Sequence, residues 1–153
     1  MARQNPLKKL MKTDLPTISE QKRKPYRPTK KEAKHLYKLL NKYIFNNELV
    51  RPKLIFKSHL RSYWGMCVGY TAETKTGTRC EIELSDKWFC IQWFITTLAH
   101  EMCHQYEHDI LKRPMTHRKN FFIHRENLAK YGIDLKTAHG QRRWFKYQNF
   151  TKC

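Results

Sequence analysis

The chain has 153 residues, with 31 Lys or Arg against 13 Asp or Glu, a formal charge of +18, and 40% hydrophobic residues. That is enough for one domain with a core and extensions. No run of 18 uncharged apolar residues is present, which excludes a membrane-spanning helix, and the basic N-terminus lacks the apolar stretch of a secretory signal.

Residues 1–28 read as a flexible basic arm, broken by Pro6, Pro16, Pro25 and Pro28 with apolar residues scattered between them. Residues 1–31 hold ten Lys or Arg against Asp14 and Glu20. Such a segment binds phosphate backbones by counterion release without reading sequence. Lys8, Lys9, Lys12, Lys22, Arg23, Lys24 and Arg27 are its candidate contacts. The body begins at Thr29, where Thr29-x-x-Glu32 forms a capping box. Ala33, Leu36, Tyr37, Leu40, Tyr43 and Ile44 then keep helical spacing until Asn46-Asn47.

Three strands follow: Leu54–Phe56, Met66–Thr71 and Arg79–Leu84, the last two joined by a turn at Thr76-Gly77. A long, mostly buried helix is expected over 87–109, capped by Ser85 or Asp86, and a third helix over 117–131, ending at Gly132. The order helix, strands, helix, helix is α+β. Five cysteines (67, 80, 90, 103 and 153) are odd in number and form no Cys-x-x-Cys pair, which fits an intracellular protein with reduced thiols, not a secreted one.

Near the end of the long helix stands His100-Glu101-Met102-Cys103-His104. Positions four apart on a helix lie on one face about 6 Å apart along the axis. Both imidazoles therefore reach one metal ion, with a carboxylate beside them, the H-E-x-x-H arrangement of zinc hydrolases. Catalytic zinc takes a third protein ligand. His108 lies too far along the same helix; His124 and Glu126 fall inside the next helical pattern. His117, after the break at Pro114 and next to a capping Thr116, is the best placed. The metzincin spacing is excluded because Glu107 and Ile110 stand where Gly and His would be required. Cys103 points away from the ligand face and reads as packing.

These residues resemble the SprT-like (Spartan) zinc metalloproteases. The resemblance rests on Thr97-Leu-Ala-His-Glu-Met-Cys-His104, on His117 with Phe121 four residues beyond it, on Trp64-Gly65 and Ile82–Ser85 upstream, and on Tyr131-Gly132-Ile133 downstream. It covers roughly Thr29 to Leu135. It implies a zincin-like minimal metalloprotease core, a small antiparallel or mixed sheet packed against the active-site helix, with flexible basic termini. It also implies one Zn²⁺ and the cleavage of proteins associated with or crosslinked to DNA. Two features depart from the family: Arg118 follows the third histidine where Gly is usual, and no C-terminal zinc ribbon is present, so no second zinc is expected.

The domain division expected is therefore 1–28 arm, 29–135 metalloprotease domain and 136–153 basic aromatic tail. In that tail Arg142, Arg143 and Lys146 accompany Trp144, a combination that suits phosphates and unpaired bases, so either single- or double-stranded DNA is a fitting partner. The expected roles are zinc on His100, His104 and His117, and a general base at Glu101. Arg79, Cys80, Glu81, Ile82, Glu83 and Leu84 are expected to form an edge strand to which an extended protein substrate adds. A monomer, cytoplasmic or nuclear if eukaryotic, with no membrane partner, is expected. Two other readings stay open: a nucleic-acid-binding module with a structural or inactive zinc site, and another zinc hydrolase on the same scaffold.

Overall fold

The computed structural model describes residues 3–13, 24–58, 64–72 and 77–137. Within the first of these, Pro6–Lys12 forms a short helix, α1. Asn5 starts it by accepting from the Leu7 and Lys8 amides, and Pro6 supplies a preset φ at the first turn. The expectation of a flexible arm fails here. Leu7 is fully buried, Leu10 and Met11 pack on the core at the helical spacing of one face, and the Gln92 side-chain amide donates to the Leu10 and Thr13 carbonyls at 3.4 and 2.9 Å. Asn5 also donates to the Tyr131 hydroxyl at 3.1 Å. Further along, Tyr26 and Trp88 exchange both backbone hydrogen bonds at 2.9 Å. The described parts of the arm thus belong to the body.

Helix α2, Lys30–Tyr43, carries the expected capping box between Thr29 and Glu32. It buries Ala33, Leu36, Tyr37, Leu39 and Leu40. Asn46 and Asn47 turn the chain with φ of 53° and 59°, a left-handed conformation that Asn tolerates better than most residues.

Strands β1 (Lys53–Lys57), β2 (Gly65–Gly69) and β3 (Cys80–Ser85) form one sheet in the order β1-β3-β2. β3 runs parallel to β1 and antiparallel to β2. This corrects the reading of Arg79–Leu84 as an edge. Arg79 precedes the strand, and Cys80, Glu81, Ile82, Glu83 and Leu84 lie in the central strand with both sides paired. Cys80, Ile82 and Leu84 face the core, fully buried. Glu81 and Glu83, on the other face, meet the hydroxyl of Tyr70, the residue just after β2, at 3.1 Å and the ammonium of Lys57, at the end of β1, at 2.7 Å. They make cross-strand pairs and do not guard an edge.

Helix α3, Ile91–Gln105, is buried around nearly its whole circumference. It starts at Cys90 without a side-chain cap, later than expected, because Ser85 still belongs to β3 and its hydroxyl serves the Lys87 backbone. The helix continues as a π-helical turn, Tyr106–Ile110. After an extended loop, a 3-10 turn (Phe121–His124) leads into the short α4, Arg125–Ala129. The helix expected from residue 117 starts only at Arg125: Thr116, its anticipated cap, accepts from the Arg118 amide at 3.3 Å and also donates to Glu107, but no regular helix follows directly. Gly132, with φ of 78°, then turns the chain so that Ile133 and Leu135 reach the core. No helix among the described residues is long and apolar enough to cross a membrane.

Candidate metal centre

His100 and His104 project from one face of α3, and His117 comes to meet them from the loop that follows the π-helical turn. The Nε2 atoms of His104 and His117 are 3.1 Å apart, and those of His117 and His100 are 3.3 Å apart. A tetrahedral zinc with Zn–N bonds of 2.0–2.1 Å separates its nitrogens by about 3.3 Å. Two of the three nitrogen pairs thus stand close to the spacing that a single zinc ion requires, all three ligand atoms lie within 4.8 Å of one another, and the all-imidazole donor set suits that metal. Phe121 lies against all three, with ring centroids 4.7, 4.6 and 5.0 Å from those of His100, His104 and His117. It is fully buried and sets the floor of the site.

The alternative ligands are engaged elsewhere. His108 Nδ1 pairs with Asp109 at 3.0 Å. His124 is held between Phe45 and Tyr106, at centroid distances of 4.5 and 4.4 Å. Glu126 is exposed. Cys103 is buried, as expected of a packing residue.

Glu101, one position after the first histidine, is only 5% exposed. It lies against β2: a Cβ built on Gly65 would come within 3.2 Å of the Glu101 Cγ and 3.1 Å of the Thr97 methyl. The strand approaches this closely because Gly65 has no side chain. The Cys67 backbone amide bonds to the carboxylate, but burial outweighs it and raises the Glu101 pKa to about 8.

Sequence reasoning missed the group that orients one of the candidate ligands. Glu107 is fully buried. One of its oxygens stands 3.0 Å from His104 Nδ1, which leaves Nε2 to face the common centre. The same carboxylate accepts from the Thr116 amide at 3.2 Å and from the Thr116 hydroxyl at 3.1 Å. Thr116 precedes His117, so one side chain holds a ligand on the helix and the loop that carries another. The signal was present: a carboxylate three residues after a ligating histidine lies on the same helical face. Burial lowers the His104 pKa, with Glu107 opposing, which favours the neutral ring that a metal requires.

Of the residues expected to touch nucleic acid, Lys8, Lys9 and Lys12 are exposed on α1, and Lys24 and Arg27 are also exposed. Arg27 stands 3.8 Å from Asp86. Lys22, Arg23, Arg142, Arg143, Trp144 and Lys146 lie outside the described residues. No curated protein matches the chain. A family model described as the SprT-like family matches residues 33–139, more than half of the sequence and the whole of the site.

Proposed function

The chain belongs to the SprT-like family, and from that premise we propose that it is a zinc-dependent metalloprotease that binds DNA and cleaves DNA-associated or DNA-crosslinked proteins with little sequence preference. The observation that carries the proteolytic half is the convergence of three imidazoles beside a buried glutamate. A purely structural zinc site has no use for Glu101, and this speaks against the reading of an inactive module. The nucleic-acid half rests on the charge of +18.

His100, His104 and His117 would hold the ion. When bound, zinc polarises the scissile carbonyl and makes a water molecule acidic enough to attack at neutral pH. Glu101 accepts that water's proton and passes it to the leaving amine. A pKa raised by burial suits a group that must both take and release a proton near neutrality. The Cys67 amide keeps the carboxylate aimed, and Glu107 keeps His104 in the ligating tautomer.

Substrate engagement moves from β3 to β2. Among the described strands, β2 pairs on one side only, and it is the strand in contact with Glu101. An extended polypeptide adding to its open side would hydrogen-bond through its main chain, whatever its sequence. The test is zinc content together with cleavage of a protein substrate, with and without DNA, for the wild type and Glu101→Gln. The variant should retain zinc and lose cleavage. Cleavage within a few-fold of wild type would remove Glu101 from the mechanism, and a metal-free, inactive wild type would overturn the protease reading.

A further inference from the structure

Helix α2 presents Lys30, Lys31, Lys34, Lys38 and Lys42 to solvent, all exposed, over about 18 Å of helix. Lys30, Lys34, Lys38 and Lys42 follow one another at intervals of four and form a row on one face. Lysines at that spacing repel, and Lys30 and Lys31 also sit at the helix N-terminus, where the dipole disfavours positive charge. The only acid in the helix, Glu32, is engaged by Thr29 and by the Tyr26 hydroxyl at 3.0 Å. None of the five lysines makes an ion pair among the described residues. A face that serves only for solubility alternates signs and gains from its i,i+4 pairs. This one opposes its own helix, and a polyanion would relieve the repulsion.

We propose that the lysine row of α2 is a docking surface for the phosphate backbone of nucleic acid, on the catalytic body itself and distinct from the two basic termini. The inference deepens the nucleic-acid half of the proposed function and rests on it. An anionic membrane fits less well, because surface helices bind lipid by burying an apolar face, and that face of α2 (Ala33, Leu36, Tyr37, Leu40) is already in the core. No Phe, Tyr or Trp of α2 is exposed (Tyr43 is half-buried, with the Lys42 ammonium over its ring), and His35 is its one exposed ring, so the row offers a nucleic acid mainly charge. Duplex DNA, with one charge per about 1.7 Å of axis, offers it more phosphates than a single strand does. α1 lies against α2 and exposes Lys8, Lys9 and Lys12 with no acid of its own, which widens the basic surface.

The experiment titrates the full chain against a labelled 20-base-pair duplex over a range of salt concentrations. It compares wild type with Lys34→Gln/Lys38→Gln/Lys42→Gln and with the corresponding triple Lys→Arg variant, and records melting temperature and zinc content for each. The glutamine variant should bind at least 10-fold more weakly at low salt. Its slope of log K against log salt should be shallower by about 0.9 for each phosphate that the variant no longer neutralises. It should melt no lower than wild type, since removing the repulsion does not harm the helix. The arginine variant should keep the slope. Wild-type binding with an unchanged slope in the glutamine variant would overturn the proposal and leave the termini as the site of binding. So would a loss of binding to phosphatidylserine vesicles with duplex binding intact. A wild type that binds no duplex at low salt would instead refute the nucleic-acid reading on which the proposal stands.

Discussion

Replacing Glu107 should weaken zinc binding without touching a ligand. The carboxylate is fully buried and receives three donors, one from His104 and two from Thr116. In Glu107→Gln the amide keeps one acceptor and gains a donor. If its oxygen stays on His104 Nδ1 it keeps the Thr116 amide as well, but its NH₂ replaces the oxygen that accepts from the Thr116 hydroxyl, and a charge-assisted bond of about 1.5–3 kcal/mol is lost together with the charge that makes His104 a stronger donor to metal. If it turns over, the NH₂ donates to Nδ1, which moves the imidazole proton to Nε2, the atom that should ligate. Either arrangement opposes the metal. Loss of such an orienting partner typically costs about 10–100-fold in affinity, or roughly 1.4–2.8 kcal/mol at 1.4 kcal/mol per decade. Glu107→Ala should fall at least as far, because it also releases the loop that carries His117. The assay is competition for zinc against a chromophoric chelator at fixed pH, with circular dichroism of the metal-free proteins to show that they fold. Zinc affinity within about threefold of wild type in both variants would refute this account.

Three further outcomes are expected. His117→Ala should lose zinc affinity while His108→Ala and His124→Ala keep it, by metal analysis; the reverse pattern would reassign the third ligand. In the metal-free protein Glu101 titrates at about 8 against an ordinary value of 4.5, so between those values the folded chain holds a proton that the unfolded chain has released. Stability is therefore lost as pH rises through that window, by at most about 5 kcal/mol; His104, shifted downward, has the opposite slope, so the quantity to compare is the difference in melting temperature between Glu101→Gln and wild type, which should grow from pH 5 to pH 8 in EDTA, whereas a constant difference would refute it. Leu7→Ala should destabilise the whole domain by about 2–4 kcal/mol in denaturant titration, as expected for a fully buried leucine; a change under about 0.5 kcal/mol would restore the flexible arm.

The sequence disclosed the site more fully than its surroundings, for a physical reason. His100, Glu101 and His104 are related by helical geometry alone, and α3 is so apolar that its polar end demanded an explanation. The cap at Thr29 was legible because Thr29 and Glu32 satisfy each other's backbone within four residues. Thr116 has the same local pattern of a hydroxyl before a helical segment, and it accepts from the Arg118 amide, yet it also donates to Glu107, nine residues earlier in the chain, and regular helix follows only from Arg125. The bond to Glu107 depends on tertiary packing, and local spacing cannot reveal it. α1 was obscured in the same way. Two turns of lysine-rich helix have too little propensity to be read as ordered, and what holds them is Leu7 in a pocket formed by elements far away in the chain.

Strand order is the clearest case of information absent from local pattern. Alternation in Cys80–Leu84 predicts one buried and one polar face, and the structure has both. It does not say whether the polar face belongs to an edge or to the centre, because Glu81 and Glu83 would look the same guarding an open edge as they do paired to Tyr70 and Lys57. What could have pointed to the other strand is glycine. β2 begins and ends with Gly65 and Gly69. A Cβ at Gly65 would press on Glu101, and one at Gly69 would come within 2.8 Å of the His108 ring. Glycine at both ends of a short strand weakens it as a strand, and is best explained where another group must approach the backbone closely. Here the groups are the proposed general base and a histidine one turn beyond the ligands. The strand that tolerates glycine is thus the one pressed against the helix of the candidate metal centre, and its side left unpaired among the described strands is where the proposed substrate polypeptide would lie within reach of Glu101.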